Sequence, residues 1–347
     1  MKSKRIIFDA PFSVQLQDEQ IALDPLPEHG VALQTRYTLI SAGTDIACLS
    51  GMESWFKLPG TPGYTAVSQV VGVGSAVRNL TPGDRVYHFG SNRQYQVVSD
   101  SELLLKLPEN IDERLVPFTR LATIAMTAIR VVPVELGDTV AVTGLGLVGN
   151  FAVQLAKLSG AKVIGIDPSP ARRALAKQCG ADVVLDPTNG SAVQEVLRRT
   201  DQQGVHALIE ASGMSRVLAD SLPMVARYGQ AVLLGSPRAE FVTDITPLYR
   251  QSHDGRCVTI KGASEWRLPV KMDAHVKHSI ERNSQIVLDL MAQDKLMVEP
   301  LLTHTFYPEQ AAEAYHGVRM DKDQYMGVVF DWCTQAAPVG HEQGTEK

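Results

Sequence analysis

The segment Gly144-Leu-Gly146-Leu-Val-Gly149 has the residue types and spacing to cradle a pyrophosphate. It follows the apolar run Val140-Ala-Val142 and opens a helical pattern from Asn150 to Leu158, the setting in which three glycines at this spacing carry meaning. The first glycine makes a tight turn, the second lets backbone approach the phosphates, and the third lets helix pack closely on strand. The helix N-terminus adds free N–H groups and partial positive charge. Gly144, Gly146, Leu147, Val148 and Gly149 are therefore the expected phosphate-binding residues of a dinucleotide site. Asp167 stands 23 residues after Gly144, at the end of the next predicted strand. A carboxylate there accepts hydrogen bonds from an adenosine ribose and repels a 2′-phosphate, so NAD is expected rather than NADP. Arg172, shortly after it, is placed to stack on adenine, to pair with a phosphate, or to lie solvated on a helix face.

These residues need a scaffold that alternates strand and helix, and the chain supplies one from Asp138 to about Gly262. Strands are predicted at Lys162–Ile166, Asp182–Leu185, Ala207–Glu210, Ala231–Leu234 and Cys257–Ile260, with a helix from Pro170 to Cys179 closed by Gly180. The pattern predicts an α/β fold with a doubly wound parallel sheet. Ala211, Ser212, Leu234, Gly235 and Ser236 end two of its strands, at the sheet edge where ligands bind. Ala231–Leu234 is a candidate buried strand and Cys257–Ile260 a candidate edge.

The first hundred residues look all-β, with short β-branched runs such as Val31–Tyr37, Val67–Val71 and Tyr95–Val98 between Pro-Gly turns. His88 and Arg93, beside the last of these, are candidates for an anionic or polyhydroxylated substrate, although each alone is more often a core or surface residue. Helical spacing recurs at Thr119–Arg130 and from about Ala274 to Ala292, where His275 and His278 form a solvated pair in preference to a metal site. The chain then returns to a mixed pattern ending in Val328-Val-Phe330. The polar tail from Thr334 to Lys347 is expected to be disordered.

Length and charge narrow the function further. A chain of 347 residues suits two domains. A net charge of −5 argues against nucleic acid as partner, because no basic stripe is present to displace counterions. The longest apolar window, Val140–Ala156, is interrupted by polar residues and glycines, so no membrane span is expected. No signal-peptide core precedes Asp9, and four scattered cysteines suggest no disulfide framework, so a cytoplasmic location is expected.

Three further segments accompany the glycine turn: Ser41-Ala-Gly-Thr-Asp45, Pro62-Gly-Tyr-Thr65 and Leu80-Thr-Pro-Gly-Asp-Arg-Val86. Together, and in this order over nearly the whole chain, they make it resemble the medium-chain dehydrogenase/reductase superfamily. The resemblance implies a GroES-like β-rich catalytic domain (residues 1–118 and 267–347) interrupted by a Rossmann domain (119–266), with the active site in the cleft between them. It also implies a small-molecule substrate and a homodimer or tetramer.

The departures from the family pattern carry as much information as the matches. Where the family holds a catalytic zinc through Cys, His with a neighbouring Glu, and a further Cys or Glu, this chain has Ala42, Tyr64, Thr65 and a position near Thr123. None is a usual zinc ligand. The chain is accordingly similar to a zinc-independent branch near the bacteriochlorophyllide dehydrogenases and sugar-linked oxidoreductases. On the resemblance, Thr44 is the proton-relay hydroxyl and Tyr64 points at the substrate oxygen. Trp55 and Phe56 wall the substrate, Arg120, a further candidate for the substrate, opens the helix beneath the nicotinamide, and Thr127 packs on its ring. The expected activity is an NAD-dependent, zinc-independent interconversion of a secondary alcohol and a ketone on a small polar molecule, a sugar or polyol derivative. The alternatives are a zinc-free NADPH quinone or enone reductase and a catalytically silent NAD-binding protein.

Overall fold

The computed structural model describes residues 1–237 and 239–333; the polar tail expected to be disordered lies outside the described residues. Two compact units emerge, Met1–Pro117 with the chain from Leu302 onward, and Phe118–Leu301. The first begins with β1 (Lys2–Ala10), β2 (Ser13–Gln20), β3 (Gly30–Leu39), α1 (Ala42–Leu49), β4 (Ala66–Val73), β5 (Arg85–His88), β6 (Tyr95–Ser99) and β7 (Leu104–Lys106). The second contains α2 (Thr119–Val131), β8 (Thr139–Thr143), α3 (Leu147–Leu158), β9 (Lys162–Ile166), α4 (Pro170–Gln178), β10 (Val183–Leu185), α5 (Ala192–Arg199), β11 (Val205–Glu210), α6 (Ser215–Ser221), β12 (Val225–Leu233), α7 (Thr246–His253), β13 (Thr259–Gly262) and α8 (Ile280–Ala292). The first unit resumes with β14 (His304–Phe306), α9 (Ala311–Met320) and β15 (Val328–Asp331).

In the second unit six parallel strands run in the order β10-β9-β8-β11-β12-β13. This doubly wound order reverses direction at β8, so a crevice opens between the carboxyl ends of β8 and β11. The strands are apolar runs such as Thr139-Val-Ala-Val-Thr143 because helices cover the sheet. The core gathers Ala141, Ile164, Leu208, Met224 and Ala231. β13 is an edge strand, as its sequence suggested.

In the first unit β3 pairs antiparallel with β4, β6 and β15 in a sheet ordered β14-β15-β3-β4-β5-β7, beside the β1–β2 hairpin. The region expected to be all-β contains one helix, α1, formed by the Ala-Gly-Thr-Asp segment itself. Its propensity is poor. What holds it is burial of Cys48 and Leu49, with Ala42 and Ile46 packed alongside, in a cluster with Ile6, Phe8, Tyr315 and Phe330, tertiary packing that local sequence does not reveal.

Two further expectations are corrected. The return to the first unit comes at Leu302, later than the expected 267. Residues 267–301 stay with the parallel sheet because α8 packs on α2 and because Gln154 of α3 clamps Met297 through both its amide atoms, at 2.8 and 2.9 Å. The helix expected from Ala274 starts only at Ile280, after the Ser279 cap, so His275 and His278 precede it. In both cases a polar side chain gripping backbone decides the boundary.

Candidate active site

The glycine turn joins β8 to α3. Gly144 has φ +82°, which L side chains rarely adopt, and a Cβ there would stand 2.7 Å from the Ser212 amide. A Cβ on Gly149 would stand 1.8 Å from the Gly144 carbonyl oxygen. Gly146 is the opposite case: nothing lies within 4 Å of where its Cβ would be. Two glycines are thus required by packing and one leaves open space beside a helix N-terminus. Leu147, Val148 and Gly149 sit in the first turn of α3, whose amides have no partner within the helix. The space and the donors fit a dinucleotide pyrophosphate.

Asp167 directly follows β9 and is buried. Its Oδ2 accepts from the Leu145 amide at 2.7 Å and its Oδ1 from the Ser169 amide at 2.8 Å. One carboxylate therefore ties the glycine turn to the start of α4, with lone pairs left for ribose hydroxyls. The Arg172 guanidinium approaches the same carboxylate at 3.9 Å, and its backbone amide is capped by Ser169 Oγ at 3.3 Å. Ala211 and Ser212 follow β11, while Leu234, Gly235 and Ser236 follow β12. The structure packs these loops together: a Cβ on Gly235 would stand 2.3 Å from the Gly213 amide, and one on Gly213 2.2 Å from the Ser236 carbonyl.

Sequence reasoning missed the residue that shapes this loop. Glu210, buried at the end of β11, accepts from the amides of Ser212 (2.8 Å) and Gly213 (3.2 Å) and from the Ser212 hydroxyl. Its signal was an acidic residue closing the apolar run Ala207-Leu-Ile. On α2, Thr127 is fully buried and donates its hydroxyl to the Thr123 carbonyl at 3.2 Å. Thr123 donates in turn to the Arg120 carbonyl at 2.8 Å. Arg120, a candidate for substrate, is buried in an ion pair with Glu265, its guanidinium 5.2 Å from the Trp266 ring centre. Its charge is already answered within the second unit.

In the first unit the segment Ser41–Asp45 caps and begins α1. Tyr64 is half-buried, and its hydroxyl donates to Ser41 Oγ at 2.5 Å. The Ser41 amide donates to Asp45 Oδ2 at 3.3 Å, and Tyr315 donates to the same oxygen at 3.2 Å. Asn92 donates to the Tyr315 hydroxyl at 2.9 Å. Hydroxyl, amide and carboxyl groups thus run from the half-buried Tyr64 to the fully buried Asn92. Burial pushes the Asp45 carboxyl up to about 7, against the pull of its two donors. Ser41 was not among the expected site residues, because a serine before a helix is ordinarily only a cap. Thr44 is half-buried on the first turn of α1.

The residues at the resembled zinc positions do not fit a zinc ion. Ala42 carries no donor atom. Tyr64 is engaged with Ser41, and fully buried Thr65 donates its hydroxyl to the Pro117 carbonyl at 2.7 Å. In the second unit the Thr123 hydroxyl is bonded within its own helix. Zinc sites want thiolate, imidazole or carboxylate donors, and this set offers none.

Of the remaining candidates, Trp55 is exposed and tied to Glu53 at 2.8 Å, while Phe56 packs edge-on against Phe8 with ring centres 6.0 Å apart. Phe56 is therefore an anchor for its loop, with Trp55 at the surface. His88 is corrected from substrate candidate to core residue: it is 1% exposed, sits 2.8 Å from Ser68 Oγ, and is held neutral by burial, which pushes it down to about 3. Arg93 bonds Ser91 at 2.9 Å and lies 3.8 Å from Glu19.

Residues 148–271 match the family model described as zinc-binding dehydrogenase. D-guloside 3-dehydrogenase of Shigella flexneri is 28% identical over 279 residues, covering 77% of each chain. L-threonine 3-dehydrogenase of Pyrococcus horikoshii is 26% identical over 333 residues, 86% of this chain and 90% of that one. Among solved structures, galactitol-1-phosphate dehydrogenase from Escherichia coli superposes with a TM-score of 0.81 over 94% of this chain and 99% of the other, at 20% identity. With the glycine turn, the doubly wound sheet and the β-rich unit on either side of it in sequence, these likenesses make the chain similar over most of its length to dehydrogenases of the medium-chain dehydrogenase/reductase superfamily.

Proposed function

We propose that the chain is an NAD-dependent, zinc-independent dehydrogenase interconverting a secondary alcohol and a ketone on a small polar substrate, a sugar or polyol derivative. The observation that carries this reading is the Tyr64–Ser41 hydroxyl pair: Tyr64 stands at a position where the resembled family holds a metal ligand, and Ser41 immediately precedes another such position, Ala42. The likeness to dehydrogenases of sugar and polyol compounds supports the substrate class. Asp167 at the end of β9 supports NAD over NADP.

Bound NAD would accept the hydride from the carbinol carbon. The protein must then handle the charge and the proton left on the substrate oxygen. In this reading Tyr64 binds that oxygen and takes its proton while passing its own to Ser41, and Ser41 releases one to water. In the reverse direction the same two hydroxyls deliver the proton. Thr44 orients the substrate oxygen. Asp45, through the Ser41 amide, fixes the first turn of α1 on which both Ser41 and Thr44 depend.

The test follows absorbance at 340 nm with metal-stripped protein, offering NAD with sugars, polyols and their phosphates, and NADPH with quinones and enones. Reduction of NAD by a polyol without added metal is the expected result. Consumption of NADPH alone would move the protein to the reductase alternative. Flat traces throughout would favour the catalytically silent binder.

A further inference from the structure

The second unit holds a group of cations that form no salt bridge among the described residues. Arg130, in the last turn of α2, is half-buried; its Nε is shielded from solvent without a hydrogen-bond partner, and its Nη2 rests 3.7 Å from Met126 Sδ. Arg282, in the first turn of α8, places Nη1 3.3 Å from His278 Nδ1. Among the described residues neither guanidinium makes a salt bridge. The carboxylate in the same turn, Glu281, is turned away to Lys271 (3.2 Å) and the Met272 amide (2.8 Å), and Asp273 accepts from the His275 amide. The arrangement is unfavourable twice over. Arg282 sits at the positive end of a helix dipole, and it sits among like charges.

The electrostatics agree. Burial and then the charges of Arg130, Arg282 and Lys277 hold His278 below the usual imidazole range, and burial and then Arg282 pull Arg130 down. The next residue of α8, Asn283, is fully buried with neither amide atom bonded, and the Ser284 hydroxyl is in the same condition. Polar groups in this state indicate a missing partner. The first amides of α8 are not available to it: those of Ile280, Glu281 and Arg282 bond Pro269, Val270 and Ser279.

We propose that the last turn of α2 and the first turn of α8 form a binding site for a phosphate-type oxyanion, inorganic phosphate or a phosphomonoester, held by the side chains of Arg130, Arg282 and His278. Two forked guanidinium groups and an imidazole provide more donors than one carboxylate can take up, whereas a phosphate offers three or four oxygens. The site is separate from the glycine turn, whose donors are backbone amides, and its existence does not depend on the reaction proposed above.

The test is equilibrium dialysis of the intact chain against radiolabelled inorganic phosphate and, separately, labelled glucose 6-phosphate, at constant ionic strength in chloride. One saturable site per chain for at least one of the two is expected, and which of them binds distinguishes free phosphate from an ester. Arg130→Gln and Arg282→Gln should each weaken that binding at least tenfold without loss of thermal stability, since each relieves repulsion. Absence of saturable binding by the wild-type protein overturns the proposal. So does binding that both variants retain, which would place the anion at the glycine turn. If Arg130→Gln does not fold, Arg282→Gln and His278→Asn decide the question by the same criterion.

Discussion

Tyr64 and Ser41 hold their hydroxyls 2.5 Å apart, so on the proposed mechanism deleting one oxygen should separate proton handling from cofactor binding. Tyr64→Phe keeps the ring and its packing and removes the donor. It is expected to lower kcat about a hundredfold, within the range of a lost general acid, and to leave the NAD dissociation constant unchanged. Steady-state kinetics with a nicotinamide fluorescence titration would check both, and an unaltered kcat would remove Tyr64 from the mechanism. Asp167 allows a complementary test at the cofactor. Asp167→Asn keeps an oxygen for the Leu145 amide but loses the charge and one acceptor, so NAD should bind about tenfold more weakly and discrimination against NADP should narrow. Equal kcat/KM ratios for the two cofactors before and after substitution would show that Asp167 reads neither ribose. At this scale the sequence revealed what depends on chain order. The three glycines and Asp167 are separated by fixed steps along one strand–turn–helix–strand unit. Ser41 and Glu210 were hidden because their roles come from partners across the fold or within a tight loop, and a serine or a glutamate alone carries no such mark.

At the level of elements, the turn between β8 and α3 divides packing from binding among its glycines. Gly149→Ala would force its Cβ to within 1.8 Å of the Gly144 carbonyl, so the helix must shift away from the strand. A loss of about 2 kcal/mol or more is expected, at the upper end of ordinary overpacking. Gly146→Ala meets nothing within 4 Å and should fold with nearly wild-type stability, yet its methyl would occupy the space open to the pyrophosphate. Denaturant titration and NAD binding on the two variants should separate them: one unstable, the other stable and unable to bind. If Gly146→Ala binds NAD normally, the pyrophosphate does not approach there. Strands of the parallel sheet were legible as short apolar runs, since burial on both faces imposes that composition. The helix α1 was not, because Ala-Gly-Thr-Asp favours turns and only the surrounding core makes it helical. The late start of α8 was equally hidden, since apolar spacing continues past the Ser279 cap in sequence but not in space.

For the molecule as a whole, two buried groups of the first unit oppose each other in their effect on stability against pH. Asp45 is raised from 3.8 to about 7 by burial. Between those values the native chain keeps a proton that the unfolded chain has lost, so stability falls as pH rises through the window. His88 is lowered from 6.5 to about 3, also by burial. Between those values the unfolded chain takes up a proton that the native chain refuses, so stability falls as pH drops. In the overlap, from about pH 4 to 6.5, each contributes a slope of about 1.4 kcal/mol per pH unit, with opposite sign. Neither group's effect is therefore visible in the wild-type protein across that interval. Asp45→Asn retains an acceptor for Tyr315 and the Ser41 amide while removing the titration, and should expose the His88 slope. Relative to wild type it is expected to lose roughly 2 to 3 kcal/mol between pH 6.5 and 4.5. His88→Gln, which keeps a partner for Ser68, should shift in the opposite direction by a similar amount. Urea unfolding of the three proteins at both pH values provides the comparison, and parallel behaviour of wild type and Asp45→Asn would mean that Asp45 is ionised in the native state throughout. The same pair shows why the sequence alone left this balance invisible. An aspartate in the first turn of a helix and a histidine in a strand look like surface residues until the sheet and α9 close over them.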